Sequence, residues 1–139
     1  MTRFMLDTNA ASALVKGQPK VTARFKAHAP DRVCLSVVTE GEMLFGVARR
    51  PEARRLRAVV SELLAAIDVL PWTSATARRY ATLRAGLERQ GRSLGALDLM
   101  IAAHAAEHDM TLVTHDRAFG TVPGDKQIGF RIHGFLVAR

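Results

Sequence analysis

Four acidic residues each stand against an apolar run. Asp7 follows Phe4-Met5-Leu6, Glu42 precedes Met43-Leu44-Phe45, Asp98 precedes Leu99-Met100-Ile101, and Asp116 follows Leu112-Val113-Thr114-His115. A carboxylate at the border of a core is costly unless it is paired or holds a cation. No basic residue is an evident partner for any of the four. Gathered at one rim they would form a divalent-cation site, and the chemistry such a site performs is attack on a phosphodiester. Oxygen donors stand close by in Thr8, Asn9, Thr39 and Thr114. A donor set made only of oxygens selects Mg²⁺ or Mn²⁺ over zinc.

Each acid also has a plainer reading. Asp7 can cap the helix that follows it, Asp98 can favour the dipole of its own helix, and Asp116 with Arg117 can open a turn. Glu42 is harder to set aside: at helical spacing its neighbours are Val38, Thr39, Phe45 and Gly46, which turns it inward. Glu40, its rival, lies about 200° away around the same helix and belongs to the solvated side. One shared site explains all four acids with a single cause. The only histidine pair at ligand spacing, His104 and His108, shows no outer partners in the sequence and is set aside as a zinc site. His115 is read as a substrate contact or an exposed side chain, and Arg117 as a contact to a nucleic-acid backbone.

The elements that must position these residues alternate in type. Arg3-Phe4-Met5-Leu6, Val33-Cys34-Leu35, Val69-Leu70, Thr111-Leu112-Val113-Thr114 and Phe130-Arg131-Ile132 read as short strands. Between them fall helical stretches: Ala10 to Val15, Val21 to His28, Thr39 to Ala48, Glu52 to Ile67, Thr73 to Gln90 and Gly95 to His108. Strands alternating with helices predict an α/β fold in three layers, a short central parallel sheet flanked by helices on both faces. Asp7 and Asp116 then sit at the carboxyl ends of strands, where open parallel sheets place their sites. Glu42 and Asp98 sit on helix faces near that rim. Without a repeat or a low-complexity linker, residues 1–139 read as one domain.

Composition narrows the function classes. Of 139 residues 48% are hydrophobic, enough for one core, and no apolar run approaches the ~18 residues that span a bilayer. No secretory leader is visible, and the single cysteine, Cys34, lies in an apolar run, so the expected protein is cytoplasmic and the thiol buried. The net charge is +7, with 16 arginines among the 20 basic residues. Arg49, Arg50, Arg54, Arg55 and Arg57 form one cluster; Arg78, Arg79, Arg84, Arg89 and Arg92 form another. Arginine's planar fork suits phosphate, so RNA is a fitting partner, although an acidic protein would use the same surface. A phosphoacceptor domain also places an aspartate at a strand end, but it needs a lysine at a later one, and the only late lysine is Lys126 in a glycine-flanked loop.

Taken together, Leu6-Asp7-Thr8-Asn9, Ser36-x-x-Thr39-x-x-Glu42-x-x-x-Gly46, Asp98-x-x-Ile101-Ala102-Ala103-x-Ala105 and Leu112-Val113-Thr114-x-Asp116-x-x-Phe119 resemble the PIN-domain ribonucleases, closest to the VapC-type toxins of bacterial toxin–antitoxin pairs. The resemblance runs nearly the full length of the chain. It implies an endoribonuclease that depends on Mg²⁺ or Mn²⁺ and is held in check by a cognate antitoxin. It implies Asp7, Glu42, Asp98 and Asp116 as the acidic quartet, with Asp7, Asp98 and Asp116 the main ligands and Thr8, Asn9 and Thr114 as supports. It also implies a homodimer and an antitoxin groove built on the helices of Thr39 to Ile67 and Thr73 to Gln90. Met43 stands where the family has leucine, a volume-conserving change. The tail from Gly129 to Val137 lacks the family's acidic-aromatic ending. The alternative is a PIN-like domain that binds RNA or protein without cutting.

Overall fold

The computed structural model describes residues 3–114 and the strand at 131–134. His115, Asp116 and Arg117 lie outside the described residues. Five strands form one sheet: β1 (Phe4–Leu6), β2 (Val33–Ser36), β3 (Asp68–Leu70), β4 (Thr111–Thr114) and β5 (Arg131–Gly134). Every pairing is parallel and the order is β3-β2-β1-β4-β5. Among the described residues six α-helices connect or flank them: α1 (Thr8–Val15), α2 (Pro19–Lys26), α3 (Val37–Ala48), α4 (Arg54–Ala66), α5 (Ser74–Arg89) and α6 (Ala96–Glu107). The expected parallel α/β architecture is the observed one.

Local chemistry sets where the helices start and stop. Asp7 caps α1, its Oδ1 accepting from the Ala10 N–H at 2.7 Å. Ser36 caps α3 by accepting from the Val38 N–H at 3.1 Å, so that helix opens two residues before the expected Thr39. Thr73 and Thr76 form a reciprocal capping box at the start of α5. Gly17 at φ +72° follows α1, and Gly91 at φ +68° follows α5. Glycine adopts that left-handed backbone without the clash a Cβ brings, so it stops a helix cleanly.

Strand alternation sorts the core into two faces. Met5, Cys34 and Leu112 project toward one side, where Leu83 and Leu87 of α5 and Leu99, Ile101, Ala102 and Ala105 of α6 pack against them. Leu6, Val33, Leu35 and Val113 project toward the other, against Ala10 and Ala11 of α1, Met43 of α3 and Val60 and Leu63 of α4. These are the two layers of helices the alternating pattern requires. Cys34 is fully buried in the first core, where burial raises its thiol pKa to about 11 and keeps it inert, as its apolar setting implies.

The buried row through the middle strands carries the stability. Leu112→Ala, at a fully enclosed position, is expected to cost about 2–5 kcal/mol in urea unfolding. Leu44→Ala, on a side chain left 48% exposed on α3, is expected to change stability by less than about 0.5 kcal/mol.

Candidate active site at the strand crest

The order of the strands fixes where a site can form. From β1 the chain builds outward through β2 and β3, then returns to the other side of β1 with β4 and β5. The direction reverses between β1 and β4, and open parallel sheets bind their ligands in the crevice at such a point. Asp7 directly follows β1 at that point, and Thr114 is the last residue of β4.

The two meet directly. Thr114 Oγ1 donates to Asp7 Oδ2 at 2.5 Å, while Asp7 Oδ1 takes the Ala10 N–H and the Asp7 backbone N–H donates to the Val113 carbonyl at 2.9 Å. The Asp7 carboxylate is wholly buried. A buried charge is tolerated only when its lone pairs are met, and here each oxygen has a donor. The capping role and the site role of Asp7 are therefore one arrangement: the same carboxylate ends the strand, starts the helix and binds the neighbouring strand.

Glu42 reaches the site from α3. It lines a cleft of about 400 Å³ together with Thr8, Lys16, Phe45, Arg49 and Arg50. Thr8 is the residue after Asp7, whose carboxylate is itself wholly buried behind that lining. The expected inward orientation of Glu42 needs correction. The buried residues of α3 are Thr39 and Met43, Phe45 is 58% exposed, and Glu42 is half-buried at the rim between them. The stretch Met43-Leu44-Phe45 that suggested a core face is only one-third core. Glu40 is half-buried as well rather than solvated, and what separates the two glutamates is the cleft, which Glu42 lines.

Asp98 stands in the first turn of α6, half-buried, on the face continued by the wholly buried Ile101, Ala102 and Ala105. Its Oδ2 turns back to the start of the helix, 3.5 Å from where a side chain on Gly95 would begin. Asn9 is exposed on the first turn of α1. Thr39 is buried, and its hydroxyl has no hydrogen-bond partner among the described residues.

The structure thus joins Asp7 to Thr114 and Glu42 to Thr8, but Asp7, Glu42 and Asp98 do not form a cluster with ligand atoms within 4.8 Å of one another. Among the described residues the group that does is His104, Glu107 and His108, at the other end of α6. The oxygen-only donors at the crest fit a hard divalent cation; the imidazole-rich group does not match that chemistry.

His104 is the residue whose setting the spacing alone does not reveal. It is wholly buried, its Nδ1 lies 2.7 Å from Ser36 Oγ, and its ring sits 5.8 Å from that of Trp72. Burial first, and His108 second, lower its pKa, against weaker opposing pulls from Glu107 and the Pro71 carbonyl. Nothing in the sequence pairs residue 104 with residue 36. The clue was a histidine in the otherwise apolar run Ile101 to Ala106.

A parallel sheet with a buried carboxylate at its switch point defines an α/β protein with an acidic crest. A PIN domain model matches residues 4–125. The tRNA(fMet)-specific endonuclease VapC of Shigella flexneri is 37% identical over 126 residues, covering 89% of this chain and 95% of that protein. Ribonuclease VapC5 of Mycobacterium tuberculosis is 34% identical over 122 residues, covering 86% and 87%. The crystal structure of DNA-bound VapBC from Salmonella typhimurium superposes with a TM-score of 0.84 at 32% identity, covering 97% of this chain and 99% of that one. The chain belongs to the PIN-domain family, on its VapC-type ribonuclease branch.

The Thr114–Asp7 bond is tested by Thr114→Val, which keeps the shape of the side chain and removes the donor. The variant is expected to lose about 1.5–3 kcal/mol of stability, the worth of a hydrogen bond to a charged group, as a lower urea midpoint.

Proposed function

We propose that the protein is a metal-dependent endoribonuclease toxin whose activity is held in check by a cognate antitoxin. The observation that carries this reading is the buried Asp7 carboxylate at the β1–β4 switch point, one residue before Thr8, which lines a cleft that holds one glutamate among cationic side chains. Asp7, Asp98 and Asp116 would hold Mg²⁺ or Mn²⁺, with Glu42 binding directly or through water. When bound, the cation supplies charge stabilisation at the attacked phosphate and acidifies water.

The chain's own residues do the rest. Thr114 fixes the Asp7 carboxylate, so that its remaining lone pairs keep one direction. Thr8 and Asn9 follow Asp7 on the first turn of α1 and serve as supports. Glu42, at the cleft rim, is suited to accept a proton from water or to orient it. Lys16, Arg49 and Arg50 line the same cleft and would bind the RNA backbone. Arg117 and His115 are assigned to the substrate as well. Relatives named as tRNA-specific and as ribonucleases support RNA as the substrate class.

An antitoxin has a surface to use. Val37, Leu44 and Phe45 are exposed on α3, and Arg49 lies 5.4 Å over the Phe45 ring. A partner covering Phe45 would close the cleft that Glu42 lines. The similar structures of DNA-bound VapBC and of a VapBC-family toxin–antitoxin system support such a partner. A homodimer belongs to this reading, as does action in the cytoplasm by residues 1–139 as one unit. No helix among the described residues is long and apolar enough to cross a membrane.

Cleavage of RNA by the purified chain is expected to need Mg²⁺ or Mn²⁺ and to stop with EDTA. Asp98→Asn is expected to lower the rate by more than the about 100-fold that loss of an outer-shell partner costs at metal sites, with the far-ultraviolet circular dichroism unchanged. RNA binding without any cleavage in either ion would instead establish the non-catalytic binding domain. Replacing Arg49 and Arg50 with Gln is expected to weaken RNA binding across sequences. It should also make the fall of log affinity with log salt shallower, by about 1 for each phosphate that is no longer neutralised.

A further inference from the structure

We propose that His104, Glu107 and His108 form a second cation site, for a borderline metal such as Zn²⁺, separate from the acidic crest and serving to tie α6 to α5 and α3. Their ligand atoms already lie within 4.8 Å of one another. The residues are spaced His-x-x-Glu-His on one helix, which puts all three on one face; in unrelated folds the two histidines of this spacing hold zinc. Two imidazoles and one carboxylate suit zinc, whose three-ligand sites leave a fourth position to water.

What distinguishes this group from a chance cluster is its outer ring of partners. His104 Nδ1 is engaged by Ser36 Oγ at 2.7 Å, which leaves Nε2 as the ring nitrogen available to a metal. That Nε2 is buried and has no hydrogen-bond partner among the described residues; the Pro71 carbonyl approaches the ring without meeting hydrogen-bond geometry. An orphaned buried ring nitrogen costs free energy that a cation would recover. Glu107 Oε2 accepts from Thr76 Oγ1 at 2.7 Å and lies 3.1 Å from His108 Nε2. Metal-bound histidines and carboxylates carry such second hydrogen bonds, which fix tautomer and orientation.

Access is through His108. Its side chain is 35% exposed, against 19% for Glu107, and it can rotate to close the remaining distance. Donors on one tetrahedral zinc stand about 3.3–3.8 Å apart. The cation would sit between His108 Nε2 and Glu107 Oε2, which now lie 3.1 Å apart. The partners come from three places in the chain: Ser36 at the start of α3, Thr76 in the first turn of α5 and the ligands on α6. A bound ion would therefore lock the helices over the β2 end of the sheet.

The test is titration of the full chain, stripped of metal, with Co²⁺ and Zn²⁺ in excess Mg²⁺, so that Mg²⁺ occupies hard oxygen sites. One equivalent of Co²⁺ is expected to give visible d–d absorption of a low-coordinate nitrogen–oxygen site, displaced by Zn²⁺, and Zn²⁺ should raise the melting temperature. His108→Ala, at an exposed position that the fold tolerates, is expected to abolish the absorption and the thermal shift. Thr76→Val should weaken binding about 10-fold or more, as loss of an outer-shell partner does. Equal Co²⁺ affinity and spectrum in wild type and His108→Ala, or no binding to wild type, would overturn the site. Loss of the signal in Asp98→Asn but not in His108→Ala would move the ion to the crest and overturn it as well. None of these outcomes bears on RNA cleavage, which is read separately.

Discussion

A carboxylate with no access to solvent has to be answered by donors, and in this protein the answer organises the sheet. Asp7 takes the Ala10 N–H on one oxygen and the Thr114 hydroxyl on the other, and its own N–H reaches the Val113 carbonyl. Those three bonds join the end of β1 to the start of α1 and to the end of β4. Remove the carboxylate and the first helix loses its cap, while β1 and β4 lose their side-chain link at the crest and keep only the backbone one. The demand for satisfied lone pairs thus holds a negative charge at the point where the strand order reverses, which is where an open parallel sheet presents its crevice.

The same alternation that builds the core explains which polar residues sit near that crevice. Along β1, Met5 and Asp7 share a face; along β2, Cys34 and Ser36; along β4, Leu112 and Thr114. Each pair is an apolar residue inside the α5–α6 core followed, two positions later, by a buried polar one at the strand end. The α6 side of the sheet therefore has an apolar floor and a polar lip. Asp7 and Thr114 answer one another at that lip, and Ser36 is answered by His104. The opposite face carries Leu6, Leu35 and Val113 against α1, α3 and α4, and Glu42 comes from that layer.

Much of this was legible in the chain. Short β-branched or apolar runs alternating with amphipathic stretches pointed to a parallel sheet with two helical layers, and Asp7 and Thr114 were placed at strand ends by counting alone. Residues whose meaning depends on a distant partner were not legible. Thr76 reads as an ordinary helix-start threonine until Glu107 is brought to its hydroxyl, 31 positions away. Ser36 reads as a cap, which it is, but its second bond, to His104, spans 68 positions. Glu42 was misjudged for another reason. Helical periodicity assigns a face by its apolar neighbours, and Phe45 is apolar yet 58% exposed, so the face it marks is a surface ledge and not the core.

The partners in the Thr114–Asp7 bond are 107 positions apart, and that interval has a consequence for synthesis. While the ribosome is still adding residues, the amino-terminal strand can pair with its β2 neighbour, but the strand that clamps its aspartate does not yet exist. A nascent chain of this kind carries the acid without the hydroxyl that steadies it until nearly the whole polypeptide has emerged. The tie between the first strand and the fourth is therefore among the last contacts the growing chain can make.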